Sequence, residues 1–510
     1  MLMEFELDRT QMKGFDALLD VTLRPEETLE MIVPDACPDI LRIVETDGKV
    51  LLKSKEAMDG RVELMGMFQM SILYLPDGES GMRHLDVNIP FTCAAEGRDV
   101  SSACSVVAEA RLCRADTRAL NPRKVLVRAE AAVDVTVFSP RTETVCSRVL
   151  TGEGESVEQL TETQDIYLTA CVQEKPFPFS DEVNLSAGKP AAAELLKSRV
   201  ILAQGDSKII GNKLIFKGSA NISLLYRGED DKIYTMGAEL PFSQIMEITG
   251  VSEEAECDLA LALTGAECTL APAGEGRVVS VELEVMAQAV IREPRTLELL
   301  TDAYSTRKPL AAEWSGCPID KKLDRGVRSQ TVREGWDTPV TLREITDCRM
   351  AVGQVTQERE GDRLIMNAQV ELQVLAVDEE GECASLQHTV TVPCPLELPD
   401  GCQCLCRCEG VGDVYASPAA GGVEVRFTLD FRYCAVSRRQ ITFLSGIYPG
   451  EASAEAGEQP SLVLRMLEEG ERLWDVAKAY GTTIMDIISV NEMEDESAGV
   501  GKLLLIPRKR

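Results

Sequence analysis

Residues 60–79 read GRVELMGMFQMSILYLPDGE. Phe68, Met70, Ile72 and Tyr74 fall on one parity, and the stretch closes on Pro, Asp and Gly. That is the signature of a half-buried strand running into a turn. The same pattern returns as GNKLIFKGSANISLLYRGED from Gly211 and as GDRLIMNAQVELQVLAVDEE from Gly361, 151 and 150 residues further on. Downstream, VNIPF, AELPF and VTVPC place Pro90, Pro241 and Pro393 at spacings of 151 and 152, and upstream Pro38, Pro190 and Pro339 are 152 and 149 apart. Three anchors keeping one period identify three copies of one unit.

Later segments in each copy, VLVRAEAAVDVTVF, RVVSVELEVMAQAVI and GVEVRFTLDFRYCAV, alternate in the same way. Each copy is therefore expected to be an antiparallel, sandwich-like β unit of about 110 residues. The predicted boundaries are a lead segment at 1–30, repeats at 31–145, 181–295 and 330–448, and irregular connectors at 146–180 and 296–329. The acidic stretch YPGEASAEAGEQP reads as a flexible linker, placed at 449–460, before a different unit at 461–510.

The chain has 510 residues, with 53 basic against 84 acidic side chains and a net charge of -31. Such a charge repels phosphate backbones, so no nucleic-acid partner is expected. No stretch approaches the roughly 20 apolar residues of a membrane span, and MLMEFELDRTQMKGF has neither the basic nor the apolar part of a secretion signal. Seventeen cysteines without a compact framework suit a reducing compartment, and the expected location is cytoplasmic.

The densest thiol run is CQCLCRC, with Cys402, Cys404, Cys406 and Cys408 at alternate positions. Matching Val125, Val278 and Val423 as equivalent strand starts puts Cys104, Cys257 and Cys402 at equivalent places. Cys104 is followed on its parity by Val106, Ala108, Ala110 and Leu112, and Cys257 by Leu259, Leu261 and Leu263. Reduced Cys behaves as a small hydrophobe, so the run is expected to face the core. Alternate strand residues are ~6.7 Å apart, too far for one flat strand to close a zinc site. No metal site and no cofactor are expected, and a zinc- or redox-responsive scaffold would have to use these four thiols. His84 and His388 occupy equivalent strands, which favours structural roles. No phosphate loop, nucleophile elbow or H-E-x-x-H motif is present, so the chain is not expected to be an enzyme.

In the last fifty residues, Leu473, Val476, Ala477 and Tyr480 keep helical spacing to Gly481. Thr483 and Asp486 open a second helix carrying Ile484, Ile487 and Ile488. LVLRML and KLLLIP flank the pair as short apolar strands. The fold class is thus mainly β, three tandem antiparallel repeats followed by a small α+β unit of order strand, helix, helix, strand.

GERLWDVAKAYGTT, Asn491 and GKLLLIP resemble the LysM domain. In that family N-acetylglucosamine-containing glycans lie between the loop before the first helix and the loop before the last strand. The resemblance implies a groove at Gly470, Glu471, Arg472 and Leu473, facing Asn491, Glu492, Met493 and the residues to Gly501. Trp474 is expected in the core. Arg472 stands where the family usually has a capping Thr, Val463 replaces a Tyr, and the second loop, NEMEDESAGVG, is acidic. Acidic β repeats with a C-terminal LysM domain resemble the SPOCS-domain proteins of endospore-forming bacteria, particularly the SipL group. This second resemblance implies a mother-cell protein at the forespore surface that joins the coat basement layer to the spore. It also implies that the LysM domain contacts the coat morphogenetic ATPase SpoIVA. The alternative is a protein of the wall or cortex that binds peptidoglycan or a chitin-like glycan.

Overall fold

The structure is a computed structural model and describes residues 5–151, 156–450, 461–468, 470–493, 495 and 502–508. The first unit contains β1 (Glu6–Leu23), β2 (Glu26–Ile32), β3 (Ile40–Met58), β4 (Arg61–Pro76), β5 (Arg83–Glu96), β6 (Ser105–Asn121) and β7 (Lys124–Leu150). The second has β8 (Val157–Asn184), β9 (Ala192–Ile210), β10 (Lys213–Gly228), β11 (Ile233–Glu247), β12 (Glu256–Leu270) and β13 (Val278–Ser305). The third has β14 (Leu310–Asp337), β15 (Leu342–Glu360), β16 (Arg363–Asp378), β17 (Cys383–Glu397), β18 (Gln403–Ala419) and β19 (Gly422–Pro449). Apart from the split of the first strand into β1 and β2, the three units have the same strand order.

In each unit a three-stranded meander, β3-β4-β5, β9-β10-β11 or β15-β16-β17, packs on a second sheet built around β7, β13 or β19. The alternation seen in the sequence faces the space between them: Leu64, Phe68, Met70, Ile72 and Tyr74 of β4 are all buried. The Pro-Phe anchors also find a physical reason. Phe91 lies opposite Gly66, and Phe242 opposite Gly218, where an added Cβ would fall 2.2 Å and 2.5 Å from the ring. In the third unit, where Cys394 lies two places further along opposite Met366, the equivalent pair is Ala368 and Val392. The pair exchanges volume across the ladder and keeps the core filled.

Three expectations are corrected. The stretches taken as irregular connectors are the 28-residue strands β8 and β14, and most of the lead segment is β1. Their first halves face the other units, and only their second halves, with Phe177 and Val183 of β8 and Val332 and Trp336 of β14, join the core of their own unit. Met12 and Val145, Ile166, Leu168, Leu297 and Leu299, and Cys317, Ile319, Ile441 and Phe443 bring all three long hairpins into one cluster. The match of Val278 to Val125 and Val423 slips by one residue, since Val279 is the buried one, with Val125 and Val423. The linker expected at 449–460 lies, from 451 on, outside the described residues.

The three units surround a common axis. Leu73, Leu225 and Leu375, spaced by 152 and 150 residues, meet there in one buried cluster. Beside them the same spacing gives Glu45, Lys197 and Asp347, and Asp47, Arg199 and Arg349. Lys197 Nζ lies 2.8 Å from Glu45 and 2.6 Å from Asp347. Arg199 lies 2.8 Å from Asp47 and 2.9 Å from Asp347, and Arg349 3.4 Å from Asp47. Gln373 donates to Glu45 and accepts from Arg349. Equivalent positions of the three units thus carry opposite charges, where identical units would have placed like charges face to face.

Burial opposes ionisation of Asp47 and Asp347, but Arg199, Arg349 and Lys197 outweigh it for Asp47, and Lys197 and Arg199 do so for Asp347. Asp47 is held well below the usual carboxylate range and Asp347 at about 2. Depressed carboxylates contribute stability that is complete above the unfolded value, near pH ~4, and is lost as pH falls through the folded one. Glu45, raised by burial, acts in the opposite sense. The thermal midpoint is expected to drop between pH ~4 and ~2, less steeply in Asp347→Asn; equal slopes in acid melts of the two proteins would count against this account.

Candidate functional site: the C-terminal unit

The last unit comprises β20 (Leu462–Met466), α1 (Leu473–Tyr480), α2 (Ile484–Val490) and β21 (Leu503–Pro507). β20 and β21 pair antiparallel, and Leu467, Leu473, Trp474, Val476, Ala477, Ile487, Leu504 and Ile506 form its core. Arg472 begins α1 without a side-chain acceptor, as its sequence requires; instead the Asp475 carboxylate accepts from the Arg472 backbone N–H and guanidinium. Gly481, at φ 62°, ends α1 in the left-handed conformation that glycine adopts at low cost. Thr483 Oγ1 accepts from Asp486 N at 3.0 Å and caps α2.

The residues of the expected groove divide into two sets. Gly470, Arg472 and Glu492 are exposed, and the Glu471 carboxylate is engaged by Arg465 at 2.6 Å. Leu473 is buried and Met493 packs against the core. Asn491 is used internally: its amide donates to Ile487 O and Leu505 O, and its carbonyl accepts from Leu505 N, tying the end of α2 to β21. Gly501 and residues 494 and 496–500 lie outside the described residues.

Trp474 does pack in that core, and it also has neighbours from outside the unit. Its ring meets Tyr304 of β13 edge-on at 4.9 Å, and its Nε1 donates to Asp302 at 2.7 Å. Lys478 adds an ion pair to Asp302 at 2.6 Å, and the Tyr304 hydroxyl donates to Thr482 O at 2.8 Å. The C-terminal unit is therefore seated on the end of the β13 hairpin. Nothing in the sequence marked Asp302 or Tyr304, which fall in a stretch read as connector.

A second feature escaped the sequence reading. The β20–β21 ladder sets Leu462 against Pro507, Leu464 against Leu505 and Met466 against Leu503, all on the face turned away from the helices. Leu462, Leu464, Met466 and Leu503 are 52%, 62%, 57% and 60% exposed. In LVLRM and LLLIP both parities are largely apolar, so alternation could not show which face is open. Contiguous exposed apolar surface of this kind marks interaction sites.

The cysteine run lies where its parity suggested. Val106, Cys257 and Cys404 are the residues opposite Val137, Ile291 and Ala435 in the three ladders, two places along from the expected match in the first and third units but on the same parity. Cys406 and Cys408 are buried in the third core, and Cys402 and Cys404 pack against it. Burial pushes the Cys404 thiol up to about 12, and Cys406 and Cys408 move the same way. Thiols so held are poor nucleophiles and poor metal ligands at neutral pH. Among the described residues no group of three or more His, Cys, Asp or Glu side chains could hold a metal. His84 bridges two units: hydrogen bonds to Asp86 and, at 2.9 Å, to Glu194 of β9 raise it to about 9. His388 stacks on Trp336 at 4.6 Å and meets Glu334 at 3.0 Å.

Residues 39–120 and 191–271 match the family model of the SipL SPOCS domain, and residues 468–507 match the LysM domain. Each SPOCS match runs from the first strand of a meander through the strand that follows the meander, β3–β6 and β9–β12. No curated protein and no solved structure matches the chain. The chain thus carries SPOCS domains and a C-terminal LysM domain, modules of sporulation-related and peptidoglycan-type binding rather than of catalysis. Among the described residues, no helix is long and apolar enough to cross a membrane.

Proposed function

We propose that this chain, with its SPOCS domains and LysM domain, is a non-catalytic adaptor in endospore envelope morphogenesis. It acts in the mother cell at the forespore surface and holds a coat morphogenetic protein, of the SpoIVA ATPase type, through its LysM domain. The observation that carries a protein rather than a glycan ligand is the open apolar face of β20 and β21. A polymeric sugar offers hydroxyls and needs polar partners, whereas Leu462, Leu464, Met466 and Leu503 offer only apolar area. Of the expected groove, Leu473, Met493 and Asn491 serve the interior of the unit.

The test offers the full chain the purified ATPase and, in parallel, washed peptidoglycan. Retention of the ATPase that Leu464→Glu with Met466→Glu reduces by at least about tenfold is the expected result, a loss of the size that truncating a central interface anchor gives. Both side chains already face solvent, so the pair leaves the LysM core intact. Sedimentation with peptidoglycan that N-acetylglucosamine oligomers compete away, with no retained ATPase, would replace this reading by the glycan-binding one.

A further inference from the structure

Each long first strand lines one side of its second sheet; β1 and β8 meet each other there at Phe15 and Thr169, whereas β14 ends its sheet, and beyond that meeting point the chain treats the three outer edges differently. The ladders give their equivalence. Each skips one residue at the same point, leaving Leu18, Ala170 and Leu323 unpaired. Eight residues beyond stand Glu26, Pro178 and Thr331, opposite Glu130, Glu284 and Thr428. In the first unit Pro25 breaks the strand into β1 and β2. In the second, Pro176 and Pro178 lie on the strand itself. Proline cannot donate to an added strand, and its presence on an edge prevents unwanted pairing. The third unit has Ser329, Gln330 and Thr331 at these places, and β14 stays paired with β19 without interruption from Asp324 to Asp337. The outer edges of the meanders are guarded in all three units, by Pro90, Pro241 and Pro393. Among the described residues the outer edge of β14 pairs with no strand.

We infer that this unguarded edge of β14 is a self-association site, at which β14 of a second copy of the chain adds antiparallel to form one continuous sheet. Antiparallel edge pairing between identical strands has a two-fold axis, about which residues equidistant from the centre face each other. With the axis at Thr331, Arg328 faces Glu334 of the second copy and Arg325 faces its Asp337, each contact occurring twice, and no like charges are opposed. Moving the axis to Ser329 would set Arg325 against Arg333 and Asp324 against Glu334; placing it at Arg328 would set that residue against itself. Cross-strand pairs of opposite charge favour one register and like pairs reject others. Arg328 is exposed, while Glu334 and Arg325 already touch His388 and Asp258, so the second copy's charges join existing pairs. The backbone of Thr331 is oriented as that of Pro178, which the second unit accommodates, so its N–H points to the open side and not to β19.

Sedimentation velocity on the full chain across the micromolar range tests this. A dimer is expected for the native sequence and a monomer of unchanged circular dichroism for Thr331→Pro. Arg328→Glu is expected to weaken association by about tenfold, and Arg328→Glu with Glu334→Arg to restore it, a reversal that a merely structural effect would not give. A native chain that stays monomeric, as it would if the edge served a strand of another protein, overturns the inference. So does a dimer that survives Thr331→Pro, or one that is indifferent to Arg328→Glu.

Discussion

Asp47→Ala is expected to destabilise the three-unit body by ~3–5 kcal/mol, the cost of stranding buried charge by removing one partner. Asp47 is buried between Arg199, Arg349 and Lys197, members of the two other units. Its loss leaves three cations against the carboxylates of Glu45 and Asp347, in a site where Arg199 and Arg349 have little access to water. Lys197→Glu should be worse, because it sets three acidic side chains at equivalent positions around the axis and leaves Arg199 and Arg349 alone to face them. Denaturant melts followed by circular dichroism check both. A midpoint within error of the native one for Asp47→Ala would show that the charges are solvated and do not hold the units together.

Ile487→Asp is expected to unfold the LysM domain while the β body keeps its transition. Ile487 is fully buried among Leu473, Val476, Leu504 and Ile506. An unpaired carboxylate there costs several kcal/mol or forces protonation, more than a unit of two short helices and two five-residue strands can absorb. Among the described residues the β body contributes only Tyr304 and Leu160 to that cluster, so its own cores stay intact. Limited proteolysis should release the tail from the variant and spare the rest, and retention of the coat ATPase should vanish with it. Asp302→Ala is the informative contrast. It removes the acceptor of Trp474 Nε1 and the partner of Lys478, weakening the seat on β13, where Tyr304 remains, without disturbing the domain's core. An Ile487→Asp chain whose tail resists protease like the native one would contradict this account.

Much of the architecture was legible in residue order. Gly60, Gly211 and Gly361 with the Pro-Phe anchors gave the three units, and alternation in β4, β10 and β16 gave their hairpins. The inward parity of Cys402 to Cys408 was legible too. The two helices of the last unit were legible because helix spacing, a glycine stop and a threonine cap coincide within thirty residues. Each of these signals is local: a strand's parity or a helix's period is fixed by the residues of that element and the one core it faces.

What residue order could not give depends on partners distant in the chain. β8 and β14 read as connectors because Ile166, Cys317 and Ile319 are buried only where three hairpins meet. Nothing in residue order sets Lys197 and Asp47 apart from the other charges, and only the closing of three units around one axis takes them from water and makes them a matched set. The seat of Trp474 on Asp302 and Tyr304 joins residues 172 and 170 positions apart. The open face of β20 and β21, apolar on both parities in sequence, was decided by which side the helices cover. The sequence by itself determined the elements and the repeat; the tertiary structure alone decided which faces were left for partners, because burial belongs to surfaces in contact and not to residues in order.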